Sequence, residues 1–115
     1  MARSPTTSDV FNAVAEAQRR QILTVLAAGE LSVNALATTL NLRQPAVSKH
    51  LAVLKEVELV QVRGVGQQRL YSLNAAALKP IYDWAATFQT LWTGRLDRLE
   101  EHLADLLAQQ KGDTP

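Results

Sequence analysis

In the stretch "QPAVSKHLAVLK" (44–55), apolar Val47, Leu51 and Leu54 fall within one arc of a helical wheel. Gln44, Pro45, Ser48, Lys49 and Ala52 fall on the other side. The spacing predicts an amphipathic helix whose exposed face is short, polar and free of acids. Upstream, Ser8 or Asp9 is placed to cap a first helix that carries Val10, Phe11 and Val14 on one face. "AQRRQILTVLAA" (17–28) predicts a second helix with Ile22, Leu23, Val25 and Leu26 inward, stopped at Gly29. Ser32 precedes a third, short helix striped by Leu36, Ala37 and Leu40. "NLR" (41–43) then breaks the chain, Asn41 being able to turn left-handed at modest cost. Two short helices joined by so tight a turn, the second amphipathic, form a helix-turn-helix pattern.

After Glu58 the period shortens to two. "LVQVR" (59–63) and "QRLYSL" (68–73) alternate and are rich in β-branched and aromatic residues, and "GVGQ" between them supplies two glycines for a turn. That is the signal of a β-hairpin. Asn74 is placed to cap a final helical segment, with residues 75–79 as a separate short turn and Pro80 in the first turn of a long helix. From there to about Gln110, the residues Ala85, Phe88, Trp92, Leu96, Leu99, Leu103 and Leu106 recur every three or four positions. This stripe exceeds what a 115-residue domain needs for its own core, and surplus apolar surface on a terminal helix pairs with another chain. Gly94 interrupts the stripe at a cost of about 1 kcal/mol relative to Ala, and marks a close crossing or a kink.

Charge sharpens the division. Residues 1–74 hold eight Lys/Arg and five Asp/Glu, a balance of +3; residues 75–115 hold four and six, a balance of −2. A basic front half suits a polyanionic partner, and the acidic rear does not. The absence of cysteine removes disulfides, thiolate metal sites and thiol switching. No apolar run reaches the ~18 residues of a membrane span. "MARSPTTSDV" has no apolar targeting core, so the expected location is cytoplasmic. Catalysis finds no support: in "SKH" (48–50) successive side chains point about 100° apart and cannot converge on one substrate, and no glycine-rich phosphate loop is present.

The slim face of helix 44–55 has a chemical use. A helix entering the major groove must bring short hydrogen-bonding side chains to the base edges. Gln bonds adenine in bidentate fashion, Ser donates or accepts, and Lys reaches guanine or phosphate. Taken together, "FNAVAEAQRRQILTVL", "GELSVNALATTLNLRQPAVSKHLAVLKEVELV" and "RGVGQQRLYSLN" resemble the winged-helix repressors of the ArsR (arsenical-resistance) family over residues 10–110. The resemblance implies a mainly α fold with a small β-hairpin, ordered α-α-α-α-β-β-α. It implies a homodimer joined through the first and last helices, here Val10, Phe11, Val14, Phe88, Trp92, Leu96, Leu99 and Leu103. It also implies a recognition helix at 44–56, a wing at 59–73 and a partly palindromic operator in double-stranded DNA. By position, Gln44, Ser48 and Lys49 face the groove, and Arg63, Gln67, Gln68 and Arg69 form the wing.

On this likeness the chain divides into a flexible 1–8, a DNA-binding region 9–74, a dimerisation helix 75–110 and a flexible 111–115, within one domain overall. Two departures from the family pattern stand out. Arg43 occupies the place of a capping Ser, a loss of about 1 kcal/mol, and is positioned to contact phosphate instead. "EAQR" (16–19) replaces "DPTR", so the second helix starts less sharply or merges with the first. Arg20 either contacts phosphate or makes an internal ion pair. His50, at the edge of the apolar arc, reads as a packed or phosphate-contacting residue. Many members of the family sense metals. Here "HLAD" (102–105) imitates only half of a metal motif, so no metal and no cofactor is expected and no effector is named. Trp84, Phe88 and Trp92 read as core aromatics or as the lining of a small pocket at the dimer seam. The competing reading is a winged helix used only for protein contacts.

Overall fold

The computed structural model describes residues 9–112, without the side chains of Leu96 and residues 110–112. The expectations for residues 1–8, Ser8 as a cap and residues 113–115 lie outside the described residues. The chain divides into two compact units, one ending at Ile81 and the other beginning at Tyr82. The first therefore runs past the expected boundary at Asn74, because Ala77 and Leu78 pack against its core.

The first unit opens with α1 (Val10–Ala13) and α2 (Ala17–Leu26). Asp9 caps α1, its Oδ1 accepting from the Phe11 amide at 2.7 Å. The two helices do not merge. α1 ends at Ala13, and α2 starts behind Glu16 without a side-chain cap. Gly29, at φ +154°, ends the turn that leads to β1 (Leu31–Ser32), and α3 (Val33–Leu40) follows at once. The Ser32 hydroxyl accepts from the Ala35 amide at 3.1 Å, as an N-cap should. Asn41 takes the left-handed conformation (φ 56°) that ends α3, and α4 (Gln44–Glu56) begins three residues later.

The hairpin consists of β2 (Val60–Val65) and β3 (Gln68–Leu73). Its loop is shorter than expected. Gly64 pairs with Arg69 inside the ladder and Val65 with Gln68, so only Gly66 and Gln67 turn the chain. Gly66 supplies φ +61° at the first loop position, which a type II′ turn requires. The sheet also has a third strand. Leu31 pairs with Tyr71 and Ser32 with Leu70, giving the order β1-β3-β2. A two-residue strand is too short for alternation to reveal.

The core gathers Ala13, Ile22, Leu23, Leu26, Leu36, Val47, Leu51, Leu54, Val57, Leu59 and Val60. The inward faces of α2, α3 and α4 thus meet as their apolar periods require. Asn74 does not cap the next segment. Its amide donates to the Glu58 carbonyl at 2.9 Å, bracing a residue with φ 65° between α4 and β2.

A short 3₁₀ turn (Ala75–Leu78) precedes α5 (Lys79–Ala86) and α6 (Gln89–Gly112). The single long helix expected from Pro80 is therefore broken, at Thr87–Phe88. The Thr87 hydroxyl and amide both bond to the Trp84 carbonyl, at 2.7 and 3.1 Å, and the Phe88 amide bonds to Ala85. Such back-bonding by a β-branched residue competes with the α-helical ladder. Helix α6 continues unbroken through Gly94, where an added Cβ would meet nothing within 4 Å, and runs on to Gly112. No helix among the described residues is long and apolar enough to cross a membrane.

Candidate nucleic-acid interface

Helix α4 presents the face its sequence foretells. Val47, Leu51 and Leu54 are buried, while Gln44, Pro45, Ser48, Lys49 and Ala52 are exposed. Arg43 stands at the N-cap, makes no side-chain cap bond and is exposed. The first-turn amides of α4 thus lack the cap a Ser would give them, and a cation stands beside the helix end that attracts anions.

The fold brings the start of α4 and the tip of the wing to one place. Between them lies an open cleft of about 240 Å³, lined by Ser32, Asn34, Gln44, Gln67, Gln68 and Arg69 among others. Gln44 on one side, and Gln67, Gln68 and Arg69 on the other, were expected in two separate elements, and the fold makes them neighbours. Asn34 was missed. It is exposed in the first turn of α3, and no periodicity points to a lone polar residue on a short helix.

Arg63 differs from its fellow wing residues. Both oxygens of the Glu30 carboxylate accept from its Nε, at 3.2 and 3.0 Å, and Oε1 also accepts from Nη2 at 2.5 Å. The guanidinium holds the Glu30 carboxyl below the usual carboxylate range, and the carboxylate raises Arg63 in turn. Sequence did not flag Glu30, because thirty-three positions separate the partners.

The arginine pair on α2 serves the fold. Arg19 is only 8% exposed and donates to the carbonyls of Ala13 (2.5 Å) and Asn12 (3.2 Å). Arg20 donates to Val14 (2.7 Å) and Ala15 (3.2 Å). Neither of the two roles weighed for Arg20, phosphate contact or ion pair, describes these bonds. The α1–α2 break leaves carbonyls that α1 is too short to satisfy, and both guanidinium groups take them up. His50 packs against α2, its Nε2 2.9 Å from Gln18 Oε1. Burial lowers the pKa of His50, the charges of Arg19 and Lys49 lower it further, and Glu16 opposes them.

The residues expected at a dimer seam divide. Val10 and Val14 pack on the core of their own unit. Phe11, Phe88, Trp92, Leu99 and Leu103 are exposed, and the Leu96 side chain is not described. In the second unit, Trp84 and Phe88 meet edge-to-face at 5.5 Å. A shallow hollow of about 220 Å³ there is lined by Tyr82, Ala85, Ala86, Gln89 and Trp92, so of the three aromatics only Trp92 lines it.

A helix-turn-helix followed by a β-hairpin, with the recognition face open beside the hairpin tip, defines a winged helix-turn-helix protein. The family model for the bacterial regulatory proteins of the arsR family matches residues 16–62. The transcriptional repressor SdpR of Bacillus subtilis is 33% identical over 81 residues, covering 70% of this chain and 90% of its own. The transcriptional activator HlyU of Vibrio cholerae is 38% identical over 74 residues, covering 64% and 68%. An ArsR-like regulator from Rhodococcus sp. RHA1 superposes with a TM-score of 0.63 at 29% identity, covering 83% of this chain and 90% of that one. The chain belongs to the ArsR family of bacterial transcriptional regulators.

Proposed function

We propose that the protein is a dimeric, cytoplasmic transcriptional repressor that binds a partly palindromic operator. The observation that carries this reading is the acid-free exposed face of α4, opening beside a polar cleft that it shares with the wing. Gln44, Ser48 and Lys49 read base edges in the major groove. Arg43, Gln67, Gln68, Arg69 and, once released from Glu30, Arg63 engage the backbone or the minor groove at its flank. The likeness to SdpR, named a repressor and matched over 90% of its length, favours repression over activation. The two copies join through α6, whose exposed Trp92, Leu99 and Leu103 supply the apolar surface. Two-fold symmetry then sets half-sites about one helical turn apart.

The test is selection of genomic fragments by the purified protein, followed by affinity measurements over a salt series. An operator binder enriches one inverted repeat and loses affinity steeply with salt. Equal affinity for every duplex, independent of salt, or no affinity at all, leaves only a protein-contact module.

A further inference from the structure

Arg63 is held away from the part of the wing that meets DNA. Ser32 pairs with Leu70 and Leu31 with Tyr71, so Glu30 lies further from the Gly66–Gln67 turn than either pair. Arg63 sits opposite Leu70 on β2. To reach Glu30 its side chain crosses β3 and leans back along the sheet, away from the tip. Its Nε–Nη2 edge is filled by a carboxylate that accepts through both oxygens. A DNA phosphate binds a guanidinium with the same fork geometry. The pair is solvent-accessible, with side-chain exposures of 63% for Arg63 and 31% for Glu30, so exchange requires no unfolding.

We propose that Glu30 is an intramolecular stand-in for phosphate, a counter-anion that withholds the wing cation Arg63 from DNA until a seated duplex displaces it. While paired, the two side chains bring no net charge to the surface, and a randomly encountered duplex gains nothing from Arg63. A duplex that docks α4 and the wing tip together places a phosphate within reach and takes Arg63 from Glu30. The pair therefore lowers non-specific affinity while leaving a cation in reserve. This inference rests on the DNA-binding reading above.

A double-mutant cycle tests it, using a mixed-sequence duplex of about three helical turns and a salt series. Glu30→Gln tightens binding to this duplex about two- to five-fold, the worth of an exposed ion pair. It also steepens the salt dependence by about one counterion per protomer. On an Arg63→Ala background the same substitution changes affinity by far less, whereas a mere change of net charge would act equally on both backgrounds. Glu30→Asp, which keeps the charge with a shorter reach, falls between wild type and Glu30→Gln. Equal effects on the two backgrounds, or weaker binding by Glu30→Gln, overturn the proposal. The Arg63 Nε–H resonance gives a second readout. It is protected in the free wild-type protein, lost in Glu30→Gln, and moves as the operator duplex selected from genomic fragments is added, while the mixed-sequence duplex leaves it in place. A resonance unmoved at saturation with the selected operator also overturns the proposal. A wild-type chain that binds no duplex removes the DNA-binding reading itself, a result distinct from a salt-sensitive wild type that Glu30→Gln leaves unchanged.

Discussion

Arg19 shows how a charge can be buried in the service of the backbone. Four-residue α1 ends too soon for a full ladder, and the guanidinium of Arg19 reaches back to its Ala13 carbonyl and adds a second donor to the Asn12 carbonyl, which also accepts from the Ala15 amide. Arg19→Ala takes the buried donor from the Ala13 carbonyl, while that of Asn12 keeps the Ala15 amide at 3.1 Å, and opens a void beside the core, so it should cost about 2–3 kcal/mol. Arg20→Ala, whose bonds lie in water, should cost about 1 kcal/mol or less. Urea unfolding of the two variants checks the ranking, and equal costs would contradict it. His50 supplies a pH dependence. Its pKa in the fold lies below the ordinary 6.5, so the unfolded chain takes the proton first. The contribution to stability is whole above pH 6.5 and falls as the pH drops below it. Unfolding midpoints from pH 8 to 5 should therefore decline more steeply for wild type than for His50→Gln. Parallel curves would show that His50 is indifferent to its surroundings. Sequence placed His50 at the edge of the apolar arc correctly, but its partner Gln18 lies 32 positions away. Only the packing of α4 on α2 names such a partner.

At the scale of elements, what a local period can encode was legible. The buried and exposed faces of α4 follow from spacing alone, and the left-handed Asn41 from its residue type. What failed depended on competition between groups. β1 exists because β3 offers an edge, and the Thr87–Phe88 break exists because a hydroxyl takes a carbonyl from the helix. Asn74 has the chemistry of a cap, but its side chain is engaged through Nδ2, which donates to the Glu58 carbonyl. The wing residues were identified by resemblance, and the structure adds that Gln67, Gln68 and Arg69 share a cleft with Gln44. This arrangement separates two kinds of contact within one site. Gln44 stands in the first turn of α4, and under the proposed reading its amide meets a base edge, so Gln44→Ala should relax sequence choice, by about 1–3 kcal/mol at one base pair. Arg69, on the wing, should act on phosphate. Arg69→Ala should weaken all duplexes alike and reduce the salt slope by about one per wing. Competition binding with single-base variants of the selected operator separates the two, and a uniform loss from Gln44→Ala would assign it to the backbone.

The whole molecule has an asymmetry that its charge division already hinted at. Among the described residues, the first unit, through Ile81, owns every residue of the buried core, while the second carries large apolar side chains largely in water. Trp92, Leu99 and Leu103 are each about half exposed, and Leu91 and Leu107 more so. A 24-residue helix of this kind is marginal by itself, since helix stability in proteins comes mainly from packing an apolar face. The second copy proposed above would supply such a face by symmetry, and it would also double the DNA contacts. Leu103 tests both consequences at once. It lies outside the core, so Leu103→Glu should leave the winged region folded, while placing like charges at a two-fold seam. Sedimentation should then find single chains at concentrations where wild type is paired. Operator affinity should fall about 10²- to 10⁴-fold, the scale of effective concentration that linkage of two half-site binders confers. Affinity for a single half-site should stay unchanged, because α4 and the wing are untouched. A variant that remains paired would move the seam away from α6. One that falls apart yet holds the full operator as tightly as before would show that a single copy suffices, and the two-fold operator would have to be given up.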